Sequence, residues 1–451
     1  MILFKKFFTI KASLVPAESS PVDLKDYIFK GTVSVLLLYL LSIVFGFVLN
    51  YLLIRSAGTA DYGTYVYALN LITLIAGFAV MGTDNLLVKN LAVYKDQANN
   101  SLFKGLLLFA IGFTLLFSLL AGLVSIFAFD SMSALNALNW YDLVFLFFII
   151  LPLTSVIIVL QSSFQGLSKP FLSQFADKLL RPLLFIAIIT IFFILGRYLS
   201  ASELVMINSG VLLVTVLVLI AVHHKVVLKT LAPIGVQLKT IPWLRISFSF
   251  FLLDVLYNIN SRVDIFLIGL LRNDPTEVAA CNIVIKLSEL VGIGLFLVNM
   301  LLAPLVSKYI VKNEISKLQE AVTYTARLAL VISLPLFIFI LIFGNKVLAL
   351  FDVASAVSFR SLMILSFAQL INVFMGSVGV ILSMSGHQRY SIYTLAISIV
   401  LNIVLDIILI PPMGLMGVAI ASGASLILWN FLIYMIVRKK TNLKTTGLKF
   451  I

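Results

Sequence analysis

Residues 105–128 read GLLLFAIGFTLLFSLLAGLVSIFA, 24 residues without one charge. At about 1.5 Å of rise per residue, such a run crosses the roughly 30 Å apolar layer of a bilayer as a single helix. Its apolar residues are continuous, not alternating, which favours a helix over a barrel strand. Eleven further stretches of this kind, separated by charged or Gly/Pro-rich punctuation, lie at 31–54, 64–88, 143–165, 174–196, 203–222, 247–271, 278–306, 328–351, 358–384, 391–410 and 414–437. The expected fold is therefore an all-α integral membrane protein with twelve transmembrane helices.

Composition agrees. Of 451 residues, 61% are hydrophobic and 11% charged, with a mean hydropathy of +1.14. Soluble domains carry about 25% charged residues, so a water-soluble globular protein is excluded. The net charge of +13 has no soluble domain to display it to a nucleic acid. Of the 32 Lys and Arg residues, 25 fall in the termini and in the connections on their side, five (Arg55, Arg197, Arg272, Lys346, Arg360) lie on the other side, and Arg262 and Lys286 lie within spans. Retention of basic loops in the cytoplasm then places both termini there. The first twenty residues lack the uninterrupted apolar core of a cleavable signal peptide; Phe4, Phe7 and Phe8 would suit an interfacial amphipathic helix. Cys281 is the single cysteine, which excludes intrachain disulfides and cysteine-based metal clusters.

The chain divides into an N-terminal segment (1–30), six spans (31–222), a linker (223–246), six more spans (247–437) and a tail (438–451). The two sets of spans are 192 and 191 residues long. Span four ends in Gly166-Leu167-Ser168-Lys169 and span ten in Gly386-His387-Gln388-Arg389, 220 residues later. Six is an even number, so the halves share one orientation. The expected architecture is two six-helix bundles related by a pseudo-two-fold axis along the membrane normal, with a cavity between them at mid-membrane.

Charges inside spans are functional hypotheses by default. Span seven is the richest, with three charges and several polar side chains in FLLDVLYNINSRVDIFLIGLL, residues 251–271. At roughly 100° per residue, Asn258 and Arg262 lie about 40° and 80° around from Asp254, and Asp264 about 80° the other way. Arg262 and Asp264 thus cannot pair within the helix, and each needs a partner elsewhere. Arg262 suits an anionic ligand or a tie to an acid such as Asp254. Asn282, Lys286 and Glu289 form an inward stripe on span eight, where Lys286 and Glu289, three apart, are placed for an ion pair. Asn402 and Asp406 share a face of span eleven with no cation on that helix. Asp177, Lys178 and Arg181 open span five, and Pro152, Pro182, Pro304 and Pro335 are sites for helix kinks. No nucleotide-binding loop and no Ser/His/Asp arrangement is present.

Three stretches carry a resemblance. AGTADYGTYVYALNLITLIAGFAVMG (57–82), SRVDIFLIG (261–269) and LSMSGHQRYSIYTLAISIVLNIVLDIILIPPMGLMGVAIAS (382–422) together resemble the Wzx-like polysaccharide repeat-unit flippases of the MOP superfamily, which also holds the MATE drug exporters and the lipid II flippases. The resemblance implies a flippase of a bacterial or archaeal cytoplasmic membrane. Its cargo would be an undecaprenyl-diphosphate-linked oligosaccharide for O-antigen, lipopolysaccharide or capsule, moved from the inner to the outer leaflet by ion-coupled alternating access. Arg262, Lys286 and Asn258 are then the candidate substrate contacts, and Asp264, Asp406 and Glu289 the candidate sites for a coupling proton or sodium ion. Membrane lipids and polysaccharide-assembly proteins are the implied partners, and neither a cofactor nor catalysis is implied. A MATE-type cation-coupled multidrug exporter is the alternative, disfavoured by a central Arg262. A membrane-embedded polysaccharide polymerase or ligase is more remote, since the longest connection opposite the termini, 129–142, has about 14 residues.

Overall fold

The computed structural model describes residues 21–127, 138–167, 169–228, 235–311 and 314–446. Phe4, Phe7 and Phe8, read as part of a tethered cytoplasmic tail or of an interfacial helix, lie outside them. Among the described residues the regular structure is entirely helical.

Helix α1 (Pro21–Val80) carries two spans. In a straight helix, residues 12 apart are separated by about 18 Å along the axis. Here the Tyr62 hydroxyl donates to Asn50 Oδ1 at 2.6 Å, so the chain folds back on itself. The turn is Gly58, at φ 75° and ψ 169°, a conformation open to a residue without a Cβ; the Tyr198 hydroxyl also occupies the space a side chain would need. The second span closes at Val80, earlier than the expected 88. Met81 and Gly82 both take positive φ, and a separate helix α2 (Thr83–Asp96) follows.

The other helices track the apolar runs. They are α3 (Asn100–Phe127); α4 (Trp140–Phe145, a π turn Leu146–Ile150, then Leu151–Gly166); α5 (Pro170–Phe175, a π turn Ala176–Leu180, then Arg181–Ile194); and α6 (Ala201–His223). The second half holds α7 (Thr240–Arg272), α8 (Pro275–Val311), α9 (Ile315–Leu350), α10 (Ala356–Met375 and Val378–Met384), α11 (Gln388–Met413) and α12 (Leu415–Thr441). Two expected kinks take a particular form. Pro152 and Pro182 each stand just after a π turn, where the missing N–H and the bulky ring widen the hydrogen-bond ladder. Pro335, by contrast, sits inside an unbroken α9.

Nine helices among the described residues are long and apolar enough to cross a bilayer, α1 counting once for its two spans. With α5 and α7, the arrangement has the twelve-helix architecture expected. Side chains such as Val124 and Ile194, 69% and 76% exposed, face outward, where lipid satisfies them and water would not.

In the first half α4 packs on α2 and α3, and α1 on α5. In the second, α8 packs on α9 and α10, α12 on α10 and α11, and α7 on α11. The halves meet chiefly where α1 touches α7 and α8 and where α2 touches α7. The expected division at 247 meets a complication here. Trp243, in the first turn of α7, is buried among Leu86, Leu91, Phe103 and Leu107 of the first half. Its Nε1 donates to the Tyr94 hydroxyl at 3.0 Å. The beginning of α7 is thus seated in one half while its length packs into the other. The C-terminal tail is anchored as well: Leu443 is buried in the core of the second half, and the Thr445 hydroxyl donates to the Met375 carbonyl at the break in α10 (2.7 Å).

Candidate functional sites: a cavity between the halves and a carboxylate pair

A cavity of about 280 Å³ lies between the halves. Its polar wall consists of Tyr39, Ser42 and Asn50 from α1, Lys178 from α5, and Lys286 and Glu289 from α8. The widened π turn of α5 carries Lys178, and its ammonium stands 5.3 Å from the centre of the Tyr39 ring. Tyr39 in turn stacks on Phe296, ring centres 4.1 Å apart.

The ion pair expected between Lys286 and Glu289 does not form. Lys286 Nζ donates to Asn50 Oδ1 at 3.3 Å, an acceptor held in place by the Tyr62 hydroxyl and by the Asn50 amide's own bond to the Gly46 carbonyl. Glu289 is exposed toward the cavity. A rigid acceptor across the interface therefore takes the lysine in preference to the flexible carboxylate one turn along.

Arg262 reaches across the interface. Its Nη1 donates to Asn70 Oδ1 of the first half at 3.0 Å, and its buried Nε has no partner. Glu289 and Arg181 are both within electrostatic reach of it, and Arg181 itself leans on Asn208 of α6 at 3.4 Å. The alternative tie between Arg262 and Asp254 is absent. Asp254 accepts both of its short bonds from the Asn85 amide of α2, at 2.9 and 3.0 Å. Asn258 is wedged against Gly77 of α1 and is not among the residues that line the cavity. The polar ridge of α7 therefore faces the first half along its whole length.

Asp264 lies on another face of α7 and finds its partners within the second half. The Ser422 hydroxyl of α12 donates to its Oδ2 at 2.6 Å, and it lies beside Asn402 and Asp406 of α11. The Asn402 amide donates to Asp406 Oδ2 at 3.2 Å. Asp406 is fully buried, and one oxygen of each carboxyl group, Oδ1 in both cases, is shut from solvent without a partner. Two carboxyl groups in contact require a positive charge between them, a proton or a metal cation. Two carboxylates, an amide and a hydroxyl offer the hard oxygen donors such a cation takes.

The sequence alone singled out Arg262, Lys286, Asn258, Asp264, Asp406 and Glu289. It missed the pairing of Asp264 with Asp406, because their contact depends on how α7 and α11 pack. It also passed over Asn50, a lone amide in an apolar span, and Ser422, which stands between Ala421 and Gly423 on the small-residue face of α12.

The family profile described as "Polysaccharide biosynthesis protein" matches residues 28–310, well over half of the chain. A second profile, MatE, matches residues 249–408. No curated protein matches the sequence. Among solved structures, the inward-facing conformation of a multidrug resistance MATE family transporter of the MOP superfamily is similar with a TM-score of 0.69 at 16% identity, covering 90% of this chain and 94% of that one. Lipid II flippase MurJ in an inward closed conformation gives 0.65 at 15% identity, over 91% and 87% of the two chains. A MOP superfamily transporter from Pyrococcus furiosus, described by the reverse polarity of its binding pocket, gives 0.59 at 15% identity, over 93% and 96%.

Proposed function

The chain belongs to the polysaccharide biosynthesis protein family, within the MOP superfamily of transporters and flippases, and on that premise we propose that it flips an undecaprenyl-diphosphate-linked oligosaccharide across a cytoplasmic membrane. The observation that carries this reading is the charge of the cavity. Lys178 and Lys286 line it against one acid, Glu289, and Arg262 and Arg181 stand behind. An anionic headgroup is the natural occupant of such a wall, whereas an organic cation would be repelled from it. A buried, unpaired hydroxyl costs roughly 2–7 kcal/mol, so a glycan with many hydroxyls does not cross lipid unaided. A polar path between two halves lowers that barrier while the lipid tail stays in the bilayer.

In this reading Lys286 and Arg262 contact or steer the diphosphate, and Asn258 holds α7 against α1. Asp264 and Asp406, with Asn402 and Ser422, take the coupling proton or sodium ion, and Glu289 balances charge in the cavity. Rocking of the halves, with both termini in the cytoplasm, moves the cargo from inner to outer leaflet.

The test is translocation of a fluorescent undecaprenyl-diphosphate oligosaccharide in proteoliposomes, comparing the native chain with Lys286→Met and Arg262→Ala. Transport by the native chain, lost in both variants, is the expected result. Transport that survives both substitutions removes the cationic cavity from the mechanism. Export of an organic cation in place of the glycolipid overturns the flippase reading in favour of a MATE-type exporter.

A further inference from the structure

One end of the cavity wall continues into a buried chain of hydrogen bonds. Lys286 Nζ donates to Asn50 Oδ1 at 3.3 Å, the Tyr62 hydroxyl donates to the same oxygen at 2.6 Å, and the Asn282 amide donates to the Tyr62 hydroxyl at 2.7 Å. Asn50, Tyr62 and Asn282 are all buried. Asn50 and Tyr62 belong to the two arms of the α1 hairpin, and Asn282 and Lys286 to α8, so the chain closes across the two halves. It lies toward the face opposite the termini, near the Gly58 turn and the start of α8. Next to it the halves touch through bare backbone, with Gly63 pressed against the Pro275 carbonyl. Among the described residues the halves are also tied on that face by Arg55 and Asp352 at 3.0 Å, but this pair is exposed, and exposed pairs contribute little.

We propose that this chain is a latch released by anionic cargo: an anion in the cavity draws Lys286 away from Asn50, and the seal opposite the termini weakens as a result. The inference rests on the reading of the cavity as the diphosphate site. Two observations support it. Asn50 and Lys286 are the members of the chain that line the cavity, so an occupant meets the latch at that end. The Lys286–Asn50 bond is also its longest link, and a neutral amide oxygen is a weaker partner for an ammonium than a phosphate oxygen, which bonds at about 2.7–2.9 Å with charge assistance. Losing the lysine leaves Asn50 Oδ1 with one donor where it had two, and the network gives up its connection to the cavity side of α8. Tyr62 and Asn282 are then positioning residues, which act on transport through closure of the far face.

The experiment places spin labels at Leu195→Cys and Val357→Cys, exposed positions near that face just after α5 and in the first turn of α10, in lipid nanodiscs. Native Cys281 is fully buried, which directs labelling to the introduced pair. Undecaprenyl diphosphate is the probe, with its binding measured separately by native mass spectrometry. The expected result is a longer-distance population that rises about fivefold when the probe binds, and by a similar factor without any probe in Tyr62→Phe, which removes the hydroxyl and with it the bonds to Asn50 and from Asn282. Lys286→Met should abolish the response to the probe. Binding with no change in distance overturns the latch and leaves the flippase reading in place. An unchanged distance distribution in Tyr62→Phe also overturns it. Absence of binding overturns both.

Discussion

Two faces of α7 carry charge into the membrane, and they are built differently. On one, Asp254 and Arg262 each meet a neutral amide of the first half, Asn85 and Asn70, and Asn258 packs on Gly77. On the other, Asp264 meets a second carboxyl group, Asp406, through contacts that leave an oxygen of each without a partner. The first face is a set of one-to-one stitches between halves. The second is a donor set awaiting a positive charge. Depth in the membrane does not separate them, since Arg262 and Asp264 are two residues apart. What separates them is charge balance: the acid and the base of the first face each meet a neutral amide, whereas the second sets two acids side by side with a free oxygen on each, a better guide to a cation site than a charge in a span taken alone.

The largest effect expected along α7 is at its base, where the comparison can be broken outright. Trp243→Ala empties a site among Leu86, Leu91 and Phe103 and removes the bond to Tyr94. Aromatic-to-alanine changes in cores cost about 3–5 kcal/mol. The protein should unfold at markedly lower temperature, as read by thermal denaturation in detergent. A melting point equal to that of the native chain would mean that α7 belongs to the second half alone.

Next in size is the carboxylate pair. A bound cation stabilises the folded chain by about 2.7 kcal/mol at a hundred times its dissociation constant. Melting in sodium chloride should therefore exceed melting in choline chloride, and Asp406→Asn should erase the difference. If sodium has no effect but the gap reappears as a pH dependence of transport, a proton occupies the pair. Asp254→Asn, on the face that meets α2, should keep the cation response intact.

Much of this was legible in the sequence. The apolar runs are long, and lipid imposes helices on them, so ten of the twelve expected spans sit on unbroken helices that end within a few residues or extend beyond them, while the tenth is interrupted at Gly376 and the second falls short. The shortfall is instructive. The second span stops at Val80 because Met81 and Gly82 turn through positive φ, a break that hydropathy does not register. Helical periodicity also correctly kept Arg262 and Asp264 apart. It could not say which helix each would meet, because contacts between α7 and α11 or between α1 and α8 bring together residues more than a hundred positions apart. For the same reason the ion pair expected within α8 lost to Asn50, a residue 236 positions away.

A smaller effect sharpens the stitching face. Asn85→Ala removes both bonds to Asp254 and leaves a part-buried carboxylate unsatisfied, at a cost of about 1–3 kcal/mol. Replacing both partners, as in Asn85→Ala with Asp254→Leu, should restore most of the loss, because no orphaned polar group remains. A double variant as unstable as the sum of the singles would show that the pair does more than hold α2 to α7. Cation-dependent melting should be unchanged in every one of these variants.

Ser422→Ala is the mildest test and bears most directly on what the second face is for. The hydroxyl donates to Asp264 Oδ2 at 2.6 Å, so while it does so that oxygen is partly engaged. If the pair only locks α7 to α11 and α12, the substitution removes one hydrogen bond, lowers stability by about 1 kcal/mol and alters nothing else. If the pair holds a cation, the hydroxyl oxygen is one of its donors. The loss then appears also as weaker cation binding, about fivefold by titration of the melting temperature against sodium, in addition to the small drop seen in choline. The two outcomes differ in whether the sodium titration shifts, and that difference distinguishes a structural bridge from a coupling site.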